Sequence, residues 1–145
     1  MVRPETEFLL FAASRSEHFD KIVIPQLQQN KIVISDRMGD SSLVYQGYVG
    51  KCDISMLKKI NFWVMQSILP QLTFYVRVDP ETALNRITSR GSVVDIFEKK
   101  SFLKDAIIGF DTLYKNRTDV VIIDGMQDPL VLAHQVVKKI LEYYE

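Results

Sequence analysis

Apolar and polar positions follow two rhythms along the chain. Three short runs are almost continuously β-branched or aromatic, and each closes on an aspartate: Lys31–Asp36 (KIVISD), Leu72–Asp79 (LTFYVRVD) and Asp119–Asp124 (DVVIID). Such runs predict strands buried on both faces, as in a parallel sheet. Between them the spacing is helical. Glu5–Asn30 is predicted helical with a break near Pro25. Ser55–Ser67 follows a cap at Asp53, and Glu81–Arg90 follows Asp79-Pro80, a cap with proline in the first turn. Phe97–Tyr114 is a further predicted helix. Pro129–Tyr144 sets Leu130, Ala133, Val137, Ile140/Leu141 and Tyr144 on one face. Strands alternating with helices predict an α/β domain with a parallel sheet. In such sheets ligands bind beyond the carboxyl ends of the strands, where Asp36-Arg37, Asp79 and Asp124 fall.

Composition narrows the classes. There is no internal repeat, linker or low-complexity tract, so residues 1–145 are expected to form a single domain. Lys plus Arg and Asp plus Glu are 18 each. That balance argues against a nucleic-acid footprint or a polybasic membrane tether. The middle third is mildly cationic, which suits a small anionic ligand or simply a solvated face. Cys52 is the only cysteine, and His18 and His134 are far apart, so no disulfide or Cys/His metal site is expected. No apolar run approaches a membrane span, and residues 1–7 lack a signal-peptide core. Cytoplasmic residence is the expectation.

The densest chemistry lies in Ser35–Gly50 (SDRMGDSSLVYQGYVG). Asp36 stands at a predicted strand end, where a carboxylate suits Mg²⁺ or its waters. The Arg37 guanidinium beside it suits a phosphate, because its planar fork grips two oxygens. Ser41, Ser42, Tyr45 and Gln46 then offer groups for a polar planar ligand. Taken alone, the run also fits a strand followed by a polar surface loop.

The run DRMGDSSLVYQGYVGKCD resembles the motif of thymidylate kinases, in which Asp-Arg, an aromatic, Asp-Ser-(Ser/Thr) and Ala-Tyr-Gln-Gly follow in order. Glu7–Arg15 (EFLLFAASR) resembles that family's Glu-leucines-Phe-small-small-Arg helix. Pro70–Arg90 (PQLTFYVRVDPETALNRITSR) resembles its Pro-Asp-Leu-Thr strand, its Asp-Pro-Glu turn and the helix leading to the lid, and Asp95–Glu98 (DIFE) resembles the lid motif. The similarity runs in register over nearly the whole chain. It implies a three-layer, P-loop-kinase-like parallel sheet flanked by helices, with a lid at about 86–100, and phosphoryl transfer from ATP to dTMP with Mg²⁺.

The resemblance also implies residue roles. Phe11 would stack on thymine, and Arg15, one turn further along, would hydrogen-bond a base carbonyl. Ser42 and Gln46 would meet the base edge, with Ser41 a weaker candidate. Tyr45 would pack beside the deoxyribose. Arg37 would grip the acceptor phosphate, with Asp36 orienting it and reaching the metal through water. Arg86 would lie near adenine, and Arg90 would belong to the cationic lid. From the residues alone, Phe11 also fits a core position, Arg15 an ion pair with Glu7, Glu17 or another acid, and Tyr45 a capped core tyrosine.

Two departures from the family pattern stand out. A P-loop needs G-x-x-x-x-G-K-[ST]. The only Gly-Lys is Gly50-Lys51, with Tyr45 five positions before Gly50 and Cys52 after Lys51. The chain is therefore expected to match the C-terminal two-thirds of a family member, without the N-terminal strands and P-loop. The strand so missing is central in the family's sheet. The strands at Lys31–Asp36 and Leu72–Asp79 would then pair directly, take a partner's strand, or leave the fold marginal. A homodimer or a complementing N-terminal segment is the expected partner, beside dTMP and ATP. The second departure is Asp95-Ile96, where the family has Asp-Arg; Arg90, Lys99 or Lys100 would have to supply the lid cation. The alternative to a kinase is a non-catalytic nucleotide-binding or assembly fragment.

Overall fold

The computed structural model describes residues 2–89 and 100–144. The chain forms two compact units, Met1–Leu69 and Pro70–Glu145.

The first unit is helical. Helix α1, Pro4–His18, starts with proline in its first turn and acidic Glu5 and Glu7 near its N-terminus, both favourable there. Its LLFAA stretch is apolar nearly all round, yet only Phe8 and Ala12 are buried. The helix does not stop at its end. It widens into a π-helical turn over Phe19–Val23 and continues as α2, Ile24–Gln28. Pro25 therefore sits at the start of a new α-helical segment, where its missing N–H costs little. Helix α3, Gly39–Ser42, runs into a second π-helical stretch, Leu43–Val49, which includes a bond from Gly50 N–H to the Tyr45 carbonyl. Helix α4, Ile54–Val64, is capped by Asp53, whose carboxylate accepts from the N–H groups of Ser55 (2.8 Å) and Met56 (3.2 Å). Positive φ at Gln66 and Ser67 follows its end.

The second unit holds the sheet. Strands β1, Thr73–Arg77, and β2, Val120–Asp124, pair in parallel from Thr73 opposite Val120 to Arg77 opposite Asp124. Helices α5 (Pro80–Ser89) and α6 (Lys100–Tyr114) lie between them in sequence, and α7 (Pro129–Tyr144) follows. Asp79 caps α5, accepting from the N–H groups of Glu81 (3.0 Å) and Thr82 (2.9 Å). The rings of Tyr75, Phe110 and Tyr114 pack with centroids 5.4–5.7 Å apart, tying β1 to α6. Gly125 is required by close approach. A Cβ there would lie 2.5 Å from Val78 Cγ2 and 3.0 Å from the Arg77 carbonyl oxygen.

One predicted strand is absent. Lys31–Asp36 lies in neither strand nor helix, with Ile32 64% and Ile34 84% exposed. A strand exists only against a hydrogen-bonded neighbour, and the described elements of the first unit are all helical. The sheet is thus two-stranded among the described residues, where three strands were expected. No helix of the described residues is long and apolar enough to cross a membrane. The lid positions Arg90, Asp95, Ile96, Glu98 and Lys99 lie outside the described residues.

Candidate functional site

The first unit gathers residues from three distant stretches of sequence into one polar network. Arg15, on the last turn of α1, donates from Nη1 to Asn61 Oδ1 (2.6 Å) and from Nη2 to Ser42 Oγ (2.9 Å). Both partners are buried and neutral. Arg15 therefore does not make the ion pair with Glu7 or Glu17 left open above. Burial pulls its guanidinium below the usual arginine range, because desolvation disfavours the charged form. Glu7 pairs elsewhere: its carboxylate accepts from Gln46 Nε2 at 2.7 Å. A buried amide bonded to a carboxylate has one sensible orientation, nitrogen towards Glu7.

Phe11 lies one turn before Arg15 on α1 and is 51% exposed. It is not a core residue, although four apolar residues in a row, Phe8 to Phe11, made that reading natural. Helical geometry puts Phe11 and Arg15 on the same face.

Arg37 is exposed, and its guanidinium carbon lies 4.6 Å from the centroid of the Tyr45 ring. That cation–π contact sets the guanidinium against an aromatic face. Nε also faces Ser41 Oγ at 3.3 Å. The Arg37 backbone has φ of 64°, in the left-handed region that a Cβ disfavours. Ser35 Oγ donates to the Arg37 carbonyl at 3.1 Å, supporting that turn. Asp36 is exposed beside it.

The run from Gly39 to Val49 is helical, which corrects the polar-loop alternative. The π-helical stretch carries Tyr45, half-buried under Arg37, and Gln46, 3% exposed beside Glu7. Widened helical turns of this kind re-aim side chains and occur often at functional sites. Gly47 lets α4 pack close against this stretch: a Cβ there would lie 2.9 Å from Ile54 Cγ1.

Arg86 belongs to the second unit, on α5, and donates from Nη1 to the Gly125 carbonyl at 3.0 Å. Arg90 lies outside the described residues. Among the described residues, no group of three or more His, Cys, Asp or Glu is placed to hold a metal. Asp36, an exposed carboxylate beside Arg37, is of the hard-oxygen type that Mg²⁺ takes through its waters.

Asn61 was missed by sequence reasoning. Its signal was present: an amide in the stripe Leu57, Asn61, Val64, where an amphipathic helix buries apolar side chains. A polar residue at such a position implies a buried hydrogen-bond partner.

The fold and the site define a class, an α/β chain with a parallel strand pair and a helical unit built round an arginine–amide network. Comparison with known proteins sharpens it. The thymidylate kinase family model matches residues 1–137. Thymidylate kinase of Caldanaerobacter subterraneus subsp. tengcongensis is 34% identical over 146 residues, covering 99% of this chain and 69% of that protein. The thymidylate kinase of a Thermoanaerobacter species is 34% identical, covering 98% and 70%. The crystal structure of thymidylate kinase from Ehrlichia chaffeensis matches with a TM-score of 0.75 and 32% identity, covering 98% of this chain and 67% of that one. The chain belongs to the thymidylate kinase family. It spans about two thirds of the length of these relatives.

Proposed function

We propose that this chain binds dTMP in its first unit and presents it for phosphorylation by ATP. The observation that carries the reading is the bond from Arg15 to Ser42, which joins two motifs 27 residues apart that the family resemblance assigns to the same base. Phe11 stacks on the thymine ring, Arg15 donates to a base carbonyl, and Ser42 and Gln46 meet the base edge, with Ser41 nearby. Tyr45 packs beside the deoxyribose. Arg37, steadied by the Tyr45 ring, grips the 5′-phosphate in bidentate fashion. The Tyr45 ring and Ser41, rather than Asp36, hold Arg37, and Asp36 keeps the proposed role of holding Mg²⁺ through water. When bound, Mg²⁺ neutralises charge on the phosphoryl oxygens. Arg86 serves the adenine of ATP, and Arg90 contributes a lid cation.

Phosphoryl transfer is mostly positioning and charge neutralisation. The donor phosphates need a cradle of backbone N–H groups and a lysine, and residues 1–145 hold no G-x-x-x-x-G-K-[ST] motif. We therefore assign the cradle to residues outside this stretch, together with the strands that complete a three-layer sheet. The exposed Ile32 and Ile34 support such a strand neighbour. Leu9 and Leu10, exposed on α1, support a homodimer face. The setting proposed is the cytoplasm. Without the cradle, the chain is a dTMP-binding module.

The test follows dTDP formation from ATP and dTMP with Mg²⁺, beside dTMP binding. Binding without turnover supports the proposal. Turnover by residues 1–145 alone, lost in Arg37→Ala, would overturn the outside cradle and keep the dTMP site. No binding of dTMP would overturn the site itself.

A further inference from the structure

We infer that Asn61 is a positioning residue of the nucleotide site. Its buried amide sets where the Arg15 guanidinium sits and ties that placement to the turn that starts α3. The inference rests on the dTMP reading of Arg15 and Ser42.

Asn61 is 5% exposed, and both ends of its amide are used. Oδ1 accepts from Arg15 Nη1 at 2.6 Å, and Nδ2 donates to the Gly39 carbonyl at 3.1 Å. These partners allow one amide orientation only. A guanidinium is purely a donor and a carbonyl purely an acceptor, so a flipped amide would oppose both. The side chain is therefore a fixed connector between α1, α3 and α4.

Chemistry explains an amide rather than a carboxylate here. A carboxylate would hold Arg15 more strongly, yet it would cancel the charge that Arg15 brings to a base carbonyl. It would also lose the donor that Gly39 requires. The neutral pair Asn61 and Ser42 uses two of the five guanidinium N–H groups and leaves as many as three for a ligand. An apolar residue at 61 would suit the buried stripe of α4 but would leave Arg15 and the Gly39 carbonyl without these bonds.

Gly39 shows how closely the connector fits. A Cβ there would lie 3.3 Å from Asn61 Nδ2 and 3.2 Å from Met65 Sδ. Gly39 also lies two residues past Arg37, whose backbone is in the left-handed region. Anchoring the Gly39 carbonyl thus steadies the exit of that turn, and one amide serves both the base end and the phosphate end of the site.

The test is calorimetric titration of the full chain with dTMP and with 5-methyl-dCMP, which carries an amino group in place of one carbonyl. The proteins are wild type, Asn61→Ala, Asn61→Asp, Arg15→Ala and the Arg15→Ala/Asn61→Ala double variant, each checked by thermal denaturation. Asn61→Ala is expected to weaken dTMP binding about tenfold in wild type and less than about twofold when Arg15 is already alanine. The preference for dTMP over 5-methyl-dCMP is expected to shrink in Asn61→Ala as it does in Arg15→Ala. Asn61→Asp, nearly isosteric, stands in should the alanine variant not fold: it is expected to weaken dTMP binding and to shrink the preference for dTMP over 5-methyl-dCMP, as Arg15→Ala does. Equal losses with and without Arg15, or an unchanged preference beside a lowered Tm, would overturn the inference and leave the dTMP reading standing. Wild type that does not bind dTMP, or an Arg15→Ala variant that binds it unchanged, would overturn the dTMP reading and the inference together.

Discussion

The two units keep their interiors in different ways. In the first, buried Phe8, Ala12, Phe19, Val23, Leu43, Val44, Leu57, Val64 and Met65 accompany buried Ser42, Gln46 and Asn61, and the polar three hold one another's neighbours by hydrogen bonds. In the second, Ala106, Tyr114 and Ile123 are buried, the interior is aromatic, and charged pairs such as Arg77–Asp111 are part-exposed. Helix α7 buries none of its described residues fully, and Leu130, Val137 and Leu141 are exposed. Polar groups hold a fixed geometry only where a packed interior excludes water and every partner is satisfied. In the first unit Ser42, Gln46 and Asn61 are buried and each is hydrogen-bonded, which supports placing the proposed base site there.

The contrast in packing breaks most sharply under truncation. Phe8→Ala, at 1% exposure, is expected to cost about 3–5 kcal/mol of stability, by chemical denaturation. Val137→Ala, at 55% exposure on α7, is expected to stay within about 0.5 kcal/mol. Comparable losses at both positions would erase the distinction between the units.

Arg37→Gly separates site from stability within the first unit. Glycine accepts φ of 64° freely, so the Tm is expected to hold or rise. Losing the guanidinium is expected to weaken dTMP binding about 100-fold by calorimetry, the scale for a charged phosphate contact. A lower Tm would show that the Tyr45 contact outweighs the backbone strain.

In the second unit the tight position is Gly125. Gly125→Ala drives a Cβ against Val78, Val76 and the Arg77 carbonyl, and is expected to destabilise by about 1–3 kcal/mol in a thermal melt. A neutral outcome would mean that the β1 and β2 ends move apart easily.

The smallest effect is on pH. Backbone N–H bonds from Thr82 hold the Asp79 carboxyl below its usual range, and the Arg117 guanidinium does the same for Asp119. A depressed folded pKa adds stability above the unfolded value and loses it as pH falls through the folded one. Stability is thus expected to fall below about pH 4. Asp79→Asn, which still caps α5 but does not titrate, is expected to flatten that slope; an unchanged slope would remove Asp79 from the account.

How far the sequence foretold the structure follows the range of the forces. Asp53 and Asp79-Pro80 announced helix starts because caps act within three residues, and α7 matched its predicted bounds. The apolar runs at Leu72–Asp79 and Asp119–Asp124 became β1 and β2 because each had the other as partner. Lys31–Asp36 has the same make-up and no ladder among the described residues, since pairing, not composition, decides a strand. The candidate site residues Arg37, Tyr45 and Gln46 were legible as a motif. Their geometry was not, because bonds such as Arg15–Asn61 and Gln46–Glu7 span 46 and 39 residues. The π-helical width of Leu43–Val49 was invisible for a related reason: apolar spacing does not distinguish a widened turn from an ordinary one.

The central claim is that residues within Met1–Leu69 form the dTMP site. Isotope-labelled 145-residue chain titrated with dTMP and followed by amide chemical shifts tests it most directly. The account predicts saturable shifts clustered at Phe11, Arg15, Arg37, Ser42, Tyr45 and Gln46. Shifts confined to Pro70–Glu145, or none at all, would contradict it.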